Sequence, residues 1–278
     1  MKYSITLASF RNVEPLEETL SKLSRSGLDA VEMYGEPGDV KAAELKNILQ
    51  SFRIPVCGVT GMWGNVSKDG WKRKLLSSDR TLVRASKKYV HDCVRMCAEL
   101  GGDEMNVCLF ADDLQKFDGT HCVPTEREKE RLARRAAPIL SELCKFAADS
   151  GVELVLEPLN RYSTPFCATV KDAVRIVNLV SDNSLGILLD TFHMNIEEDS
   201  FKAAVEAAGG LLGHTHFADN NRKMPGLGHI DFRNIMKSLR KIGYKRYVSF
   251  EPNIFDKSYG DDLKTSLGFL KGSVRSVA

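Results

Sequence analysis

No apolar run in the chain approaches the roughly 18 residues that a membrane-spanning helix needs, so a helical membrane protein is excluded. Neither charge is in surplus: 39 Lys and Arg face 37 Asp and Glu, a net charge of +2. That balance argues against charge-driven binding to nucleic acid or to a membrane surface, while leaving room for a local basic pocket. There is no linker, low-complexity tract or short repeat. The apolar stretch that follows Lys2 is broken by Ser4, Thr6, Ser9 and Arg11, too short and polar for the apolar segment of a signal peptide. Cysteines come in an odd number, at positions 57, 93, 97, 108, 122, 144 and 167, mostly inside apolar patterns. Reduced thiols and a cytoplasmic location are the expectation. Cys93 and Cys97 share a helix face, but no second ligand pair accompanies them, and packing explains them better than zinc.

What is present is ordinary globular material, 278 residues with 43% hydrophobic and 27% charged side chains. Short apolar runs read as strands at residues 4–10, 30–34, 56–61, 104–110, 153–159, 186–191, 213–218 and 247–251. They carry few charges until their last residues, as suits strands buried on both faces of a parallel sheet. Amphipathic segments between them predict helices at 14–26, 40–52, 79–100, 125–150, 169–181, 200–208, 231–242 and 261–271. Residues 125–128 have capping-box spacing, and Gly27, Gly101 and Gly151 follow helix ends. Such alternation demands right-handed crossovers. An open doubly wound sheet is the structural rival. The eight units, and a length near the roughly 250 residues of an α/β barrel, favour a single-domain (β/α)₈ TIM barrel over residues 1–278.

Two long irregular stretches, 62–78 and 111–124, follow strands and so lie at the barrel's C-terminal face. Trp63, Trp71, Phe110, Phe117 and His121 fit them either as a sugar-binding wall or as a simple cap.

Four successive strands late in the chain finish on residues able to hold a metal. They end in Glu157, in Asp190 with His193 close behind, in His214 and His216 with Asp219 and Arg222 following, and in Glu251. Buried strands rarely hold such groups unless these are paired or coordinated, and the shared strand end is the active-site face of a barrel. Converging carboxylates repel, and a divalent cation removes the conflict. Carboxylate oxygens with an imidazole suit Mn²⁺, Mg²⁺, Co²⁺ or Fe²⁺ better than a thiolate-rich structural zinc site. Taken singly, each residue has a plainer reading: Glu157 and Glu251 as salt-bridge partners, Asp190 as a helix cap, His193 as a helix-start residue, Arg222 as a loop ion pair. His214 and His216 point to one side of their strand, so one can be a ligand and the other a pocket histidine. The recurrence at four strand ends favours a metal centre.

With these motifs, EPLNR at 157–161, LDTFHMNIEE at 189–198, GHTHFADNNRKMPGLGHIDF at 213–232 and FEPN at 250–253, the chain resembles the xylose-isomerase-like barrel superfamily of sugar phosphate isomerases and epimerases. Within it the chain is similar to the D-tagatose/D-psicose 3-epimerase group. The resemblance implies one divalent ion, Mn²⁺ first, on Glu157, Asp190, His216 and Glu251. It implies Glu157 and Glu251 as the acid/base pair, and His193 and Arg222 as hydrogen-bond partners of substrate oxygens. One glutamate would take the proton next to the substrate carbonyl, giving a metal-bound enediolate, and the other would return a proton on the opposite face. The substrate would be a ketose or related hydroxyketone, and the chain a possible homodimer or homotetramer.

One position departs from the pattern. Ser163 stands where ketohexose epimerases usually carry a second glutamate, six residues after Glu157, so the sugar end of the pocket must differ. This leaves room for another keto-polyol, an oxidised glycoside or a phosphorylated sugar. The same deprotonation serves an aldose–ketose isomerase, or a dehydratase or β-eliminating lyase like the inosose and dehydroshikimate dehydratases. Apurinic endonucleases of this superfamily need further His and Asp ligands on earlier strands. Here those strands offer Glu32, Asp103 and Asp112 but no histidine set, since His91 is mid-helix and His121 in a loop. A non-catalytic sugar-binding protein would have a broken acid/base pair, and both glutamates are present.

Overall fold

The computed structural model describes residues 1–39, 41–62, 70–112, 124–180 and 185–275. Eight strands form one parallel sheet: β1 Lys2–Ile5, β2 Val31–Tyr34, β3 Val56–Thr60, β4 Glu104–Val107, β5 Glu153–Leu156, β6 Leu185–Asp190, β7 Leu212–Phe217 and β8 Tyr247–Phe250. Neighbours pair in the order β1-β8-β7-β6-β5-β4-β3-β2. The circle closes between β1 and β2 through a single parallel bridge, Thr6 to Glu32. The helices are α1 Leu16–Leu23, α2 Ala42–Ser51, α3 Arg80–Leu100, α4 Glu126–Asp149, α5 Val170–Val180, α6 Thr191–Glu197, α7 Phe201–Ala208, α8 Phe232–Lys241 and α9 Gly260–Arg275. The fold is the TIM barrel expected from the alternation of elements.

Helix starts follow local chemistry. Asp79 caps α3 by accepting from the Thr81 N–H, and the residues at 125–128 form a complete capping box at α4. Gly101 ends α3 at φ 85°, where a side chain would be strained.

The structure departs from the sequence reading at several strand ends: β4 and β5 stop at Val107 and Leu156, each three residues short of the expected end, and two others have a local cause. The first strand stops at Ile5 because the Thr6 hydroxyl accepts from the Ala8 N–H and turns Leu7–Phe10 into a 3-10 helix. The sixth stops at Asp190, whose carboxylate accepts from the Phe192 N–H and starts α6, a helix missing from the predicted set although a helix cap is the plainer reading of Asp190. Residue 191, read as strand, opens that helix. Trp63, Phe117, His121 and the side chain of Trp71 lie outside the described residues. So do residue 40, residues 63–69 of the first long stretch and residues 113–123 of the second.

One continuous apolar core packs the helices onto the sheet, from Leu20 and Leu23 of α1 through Leu140 and Leu143 of α4 to Leu263 and Leu270 of α9. The barrel's interior is different. Glu32, Glu104, His214, His216 and Ser249 are buried there and touch one another across strands that are not neighbours in the sheet. Such lumens are more often filled by branched apolar side chains. Gly58 makes the charged filling possible: a Cβ there would stand 2.5 Å from the Glu104 Cγ and 2.7 Å from its carbonyl oxygen.

Candidate active site at the C-terminal mouth

The strands fix the key carboxylates by their backbones. The Glu157 N–H still bonds the Val107 carbonyl at 3.0 Å, and the Glu251 N–H bonds the Phe217 carbonyl at 3.0 Å. Each glutamate thus sits one residue past its strand, with its peptide held by the neighbouring strand and its side chain at the mouth. Asp190 and His216 face each other in the β6–β7 register.

The four residues come together. One ligand-capable atom from each of Glu157, Asp190, His216 and Glu251 lies within 4.8 Å of the other three, and all four residues are buried. Glu157 Oε1, His216 Nδ1 and Glu251 Oε2 have no hydrogen-bond partner among the described residues. Buried polar atoms seldom remain unsatisfied, and three converging ones define a place built for something else. Burial, with Glu251 and Asp190 adding to it, pushes the Glu157 carboxyl up to about 8. Burial also acts on Asp190, but the Arg222 guanidinium, with His193 and His216, brings it down to about 2. A carboxylate-rich set with one imidazole, crowded and desolvated, fits a hard or borderline divalent cation.

His216 is raised well above the usual imidazole value because Glu32 and Glu251 outweigh its burial. Its Nε2 points away from the centre, 3.2 Å from each Glu32 oxygen. His214 does not reach the centre. Its Nδ1 is 2.5 Å from Glu104 Oε1 and its Nε2 3.4 Å from Glu32 Oε2, and these carboxylates, against the effect of burial, lift it to about 9. Glu32, His214 and His216 also lie within 4.8 Å of one another, although Glu32 already accepts from Thr60, Ser249 and His216.

His193 projects from α6 with Nε2 3.7 Å from Asp190 Oδ2 and 3.9 Å from Glu157 Oε1. The Asn160 backbone N–H donates to its Nδ1 at 3.3 Å, which makes Nδ1 the acceptor and places the proton of the neutral ring on Nε2. Burial lowers its pKa to about 4, so at neutral pH it is an uncharged N–H donor facing the centre. Arg222 sits at φ 58° and bridges the carboxylates. Its Nη1 donates to Asp190 Oδ2 at 2.7 Å, and its Nη2 forms an ion pair with Glu251 Oε2 at 3.0 Å, without hydrogen-bond alignment. The guanidinium lies 4.6 Å from the Phe192 ring centroid.

Asp219, one of the strand-end candidates, is elsewhere: its buried carboxylate accepts the backbone N–H groups of Asn220, Gly226, Gly228 and Ile230. Four residues with a direct bearing on the site were not assigned a role at this centre from sequence. Asn106 donates to Glu157 Oε2 at 2.7 Å, with the Cys108 thiol 3.5 Å from the same oxygen. Glu32 and Glu104 form the layer beneath His216. Glu32 is the one charged residue of β2 and Glu104 that of β4, and only closure of the barrel brings each to its partner.

Residues 20–272 match the family described as xylose isomerase-like TIM barrel, and the chain belongs to that family. It is 40% identical over 248 residues to the D-psicose 3-epimerase of Agrobacterium fabrum, covering 88% of this chain and 82% of that protein. It is 28% identical over 262 residues to the 3-dehydro-D-guloside 4-epimerase of Escherichia coli, covering 93% of this chain and 95% of the relative. The solved D-psicose 3-epimerase of Clostridium cellulolyticum H10, bound to D-tagatose, superimposes with a TM-score of 0.81 at 26% identity over 99% of both chains. The protein is an enzyme of the sugar epimerase class.

Proposed function

We propose that the enzyme epimerises a ketose or related hydroxyketone next to its carbonyl, with Glu157 and Glu251 as the acid/base pair and a divalent cation held by Glu157, Asp190, His216 and Glu251. The observation that carries this reading is the convergence of four buried donors from consecutive strand ends, three of them with an atom that has no hydrogen-bond partner among the described residues. When bound, the cation, Mn²⁺ in our reading, supplies Lewis acidity that polarises the substrate carbonyl and acidifies the adjacent C–H.

The protein's own groups do the rest. Glu157 and Glu251 follow the fifth and eighth strands, which the sixth and seventh separate in the sheet, and in our reading the substrate carbon lies between them. One carboxylate removes the proton and the other delivers one to the opposite face, which inverts the centre. The Nε2–H of neutral His193 donates to a substrate oxygen. Arg222 holds Asp190 and Glu251 in place, and its remaining N–H donors are available to a substrate hydroxyl. Ser163, half-buried in the turn after β5, supports a second reading in which the sugar is an oxidised glycoside, because a short neutral side chain replaces the glutamate of ketohexose epimerases.

The test is incorporation of deuterium from solvent with Mn²⁺ present, over a panel of ketoses, keto-polyols and oxidised glycosides. Exchange beside the carbonyl, reduced by about 10²–10⁴-fold in both Glu157→Gln and Glu251→Gln, is the expected result. Loss of water or of an aglycone instead of exchange with inversion would replace epimerisation by elimination.

A further inference from the structure

Below the mouth, the barrel lumen holds a buried carboxylate that the reaction does not touch. Glu32, 1% exposed, lies with both oxygens 3.2 Å from His216 Nε2. Thr60 donates to its Oε1 at 2.9 Å, and the Ser249 hydroxyl donates to its Oε2. His214 stands 3.4 Å away, itself against Glu104, and Arg246 follows at 3.7 Å from Glu104. Two acids and two imidazoles inside a barrel are costly to desolvate, and apolar residues of similar volume would often be as stable or more so. What the charged layer provides, and an apolar one would not, is an acceptor for one ring nitrogen of His216. A carboxylate only accepts, so with a cation bound on the other side of the ring it would hold the remaining proton on Nε2 and leave Nδ1 as the lone-pair atom. Nδ1 is the nitrogen that faces Glu251 at 3.5 Å and Glu157 at 3.9 Å without a hydrogen-bond partner.

We infer that Glu32 is a positioning residue for the cation centre, fixing the ring orientation and tautomer of His216, with Thr60, Ser249 and His214 holding Glu32 in turn. The inference rests on the cation centre of the proposed function. A carboxylate on the far nitrogen of a ligating histidine orients the ring and raises its donor strength, and its loss typically weakens metal binding by roughly 10–100-fold.

The experiment is calorimetric titration of Mn²⁺ into the metal-free wild type, Glu32→Gln and Ser249→Ala, each first checked for folding by circular dichroism. Wild type binds one Mn²⁺ per chain. Glu32→Gln binds it roughly 10–100-fold more weakly. Ser249→Ala, which removes only one donor to Glu32, binds it a few-fold more weakly and decides the matter if Glu32→Gln does not fold. Affinities within about twofold of wild type in the folded variants overturn the positioning role. Two Mn²⁺ per chain, one of them lost in Glu32→Gln, overturn it as well, because Glu32 would then be a ligand with His214 and His216. No binding by the wild type defeats the cation centre itself, and with it this inference.

Discussion

The two oxygens of Glu157 live in different surroundings. Oε2 takes the Asn106 amide and the Cys108 thiol, while Oε1 faces the centre without a partner. One oxygen therefore anchors the side chain and the other is kept for chemistry. A hydrogen bond to a charged group contributes about 1.5–3 kcal/mol, so Asn106→Leu should lower kcat/KM for solvent exchange roughly 10–100-fold. The thermal midpoint, measured alongside, separates this from simple loss of fold. His193 shows the complementary device: an imidazole kept neutral by burial and aimed by the backbone of Asn160. Asn160 and His214 each support a site residue. His214 serves His216 by way of Glu32, whereas Asn160 serves His193.

At the scale of elements, the loop between β7 and α8 is organised around one carboxylate. Asp219 accepts four backbone N–H groups, and Gly228 packs so closely on it that a Cβ has no room. That cradle presents Arg222 in its left-handed conformation. In Asp219→Asn one oxygen becomes a donor, leaving N–H groups unmet at a cost of about 2–3 kcal/mol. A fall in thermal midpoint of roughly 2–4 °C per kcal/mol is expected, together with a drop in exchange activity as Arg222 loses its setting. A second carboxylate ties β4's end to the start of α3. Asp112 accepts from the Ser77 and Ser78 hydroxyls, the Ser78 N–H and Lys74. Burial works against its ionisation, yet these donors bring it from 3.8 to about 2. Because the folded value is depressed, its stabilisation is complete above the unfolded value of about 3.9 and fades as pH falls toward about 2. Urea denaturation should find Asp112→Asn less stable than wild type by about 1 kcal/mol at pH 6, allowing for solvent screening, and by about half that at pH 3.

Some of these elements can be read from sequence, and others cannot. The four strand-end donors are legible because the same signal, an apolar run ending in a carboxylate or imidazole, recurs in register. The capping residues Asp79 and Thr125 are legible because caps act within a few positions. Helix α6 is only half legible: the cap at Asp190 can be read, but the helix has no turn before it because Asp190 both ends a strand and caps a helix. Glu32 and Glu104 are hidden because their meaning depends on partners 182 and 110 residues further along the chain, at His214.

At the scale of the whole molecule, a closed apolar shell surrounds a polar lumen whose charges culminate at the mouth. A cation that binds only the folded site stabilises the fold by mass action, by about 2.7 kcal/mol at a hundredfold excess over Kd. Calorimetric melting should therefore show a midpoint raised by roughly 5–10 °C with Mn²⁺ and restored by chelator. An unchanged midpoint at saturating Mn²⁺ would count against the centre.

The join between the first two strands has a further consequence. Elsewhere neighbouring strands share ladders of two or more paired residues, but there the one ladder bridge among the described residues is Thr6 to Glu32, helped by the Asp29 N–H donating to the Tyr3 carbonyl and the Tyr3 N–H to the Asp29 carboxylate. This seam is where the ring of strands is easiest to part, and the residue on its far lip is the one that grips His216. Heating that opens the seam disarms the enzyme while the remaining ladders still stand. Inactivation on heating is then expected ahead of global unfolding, with activity lost at a lower temperature than the circular-dichroism signal.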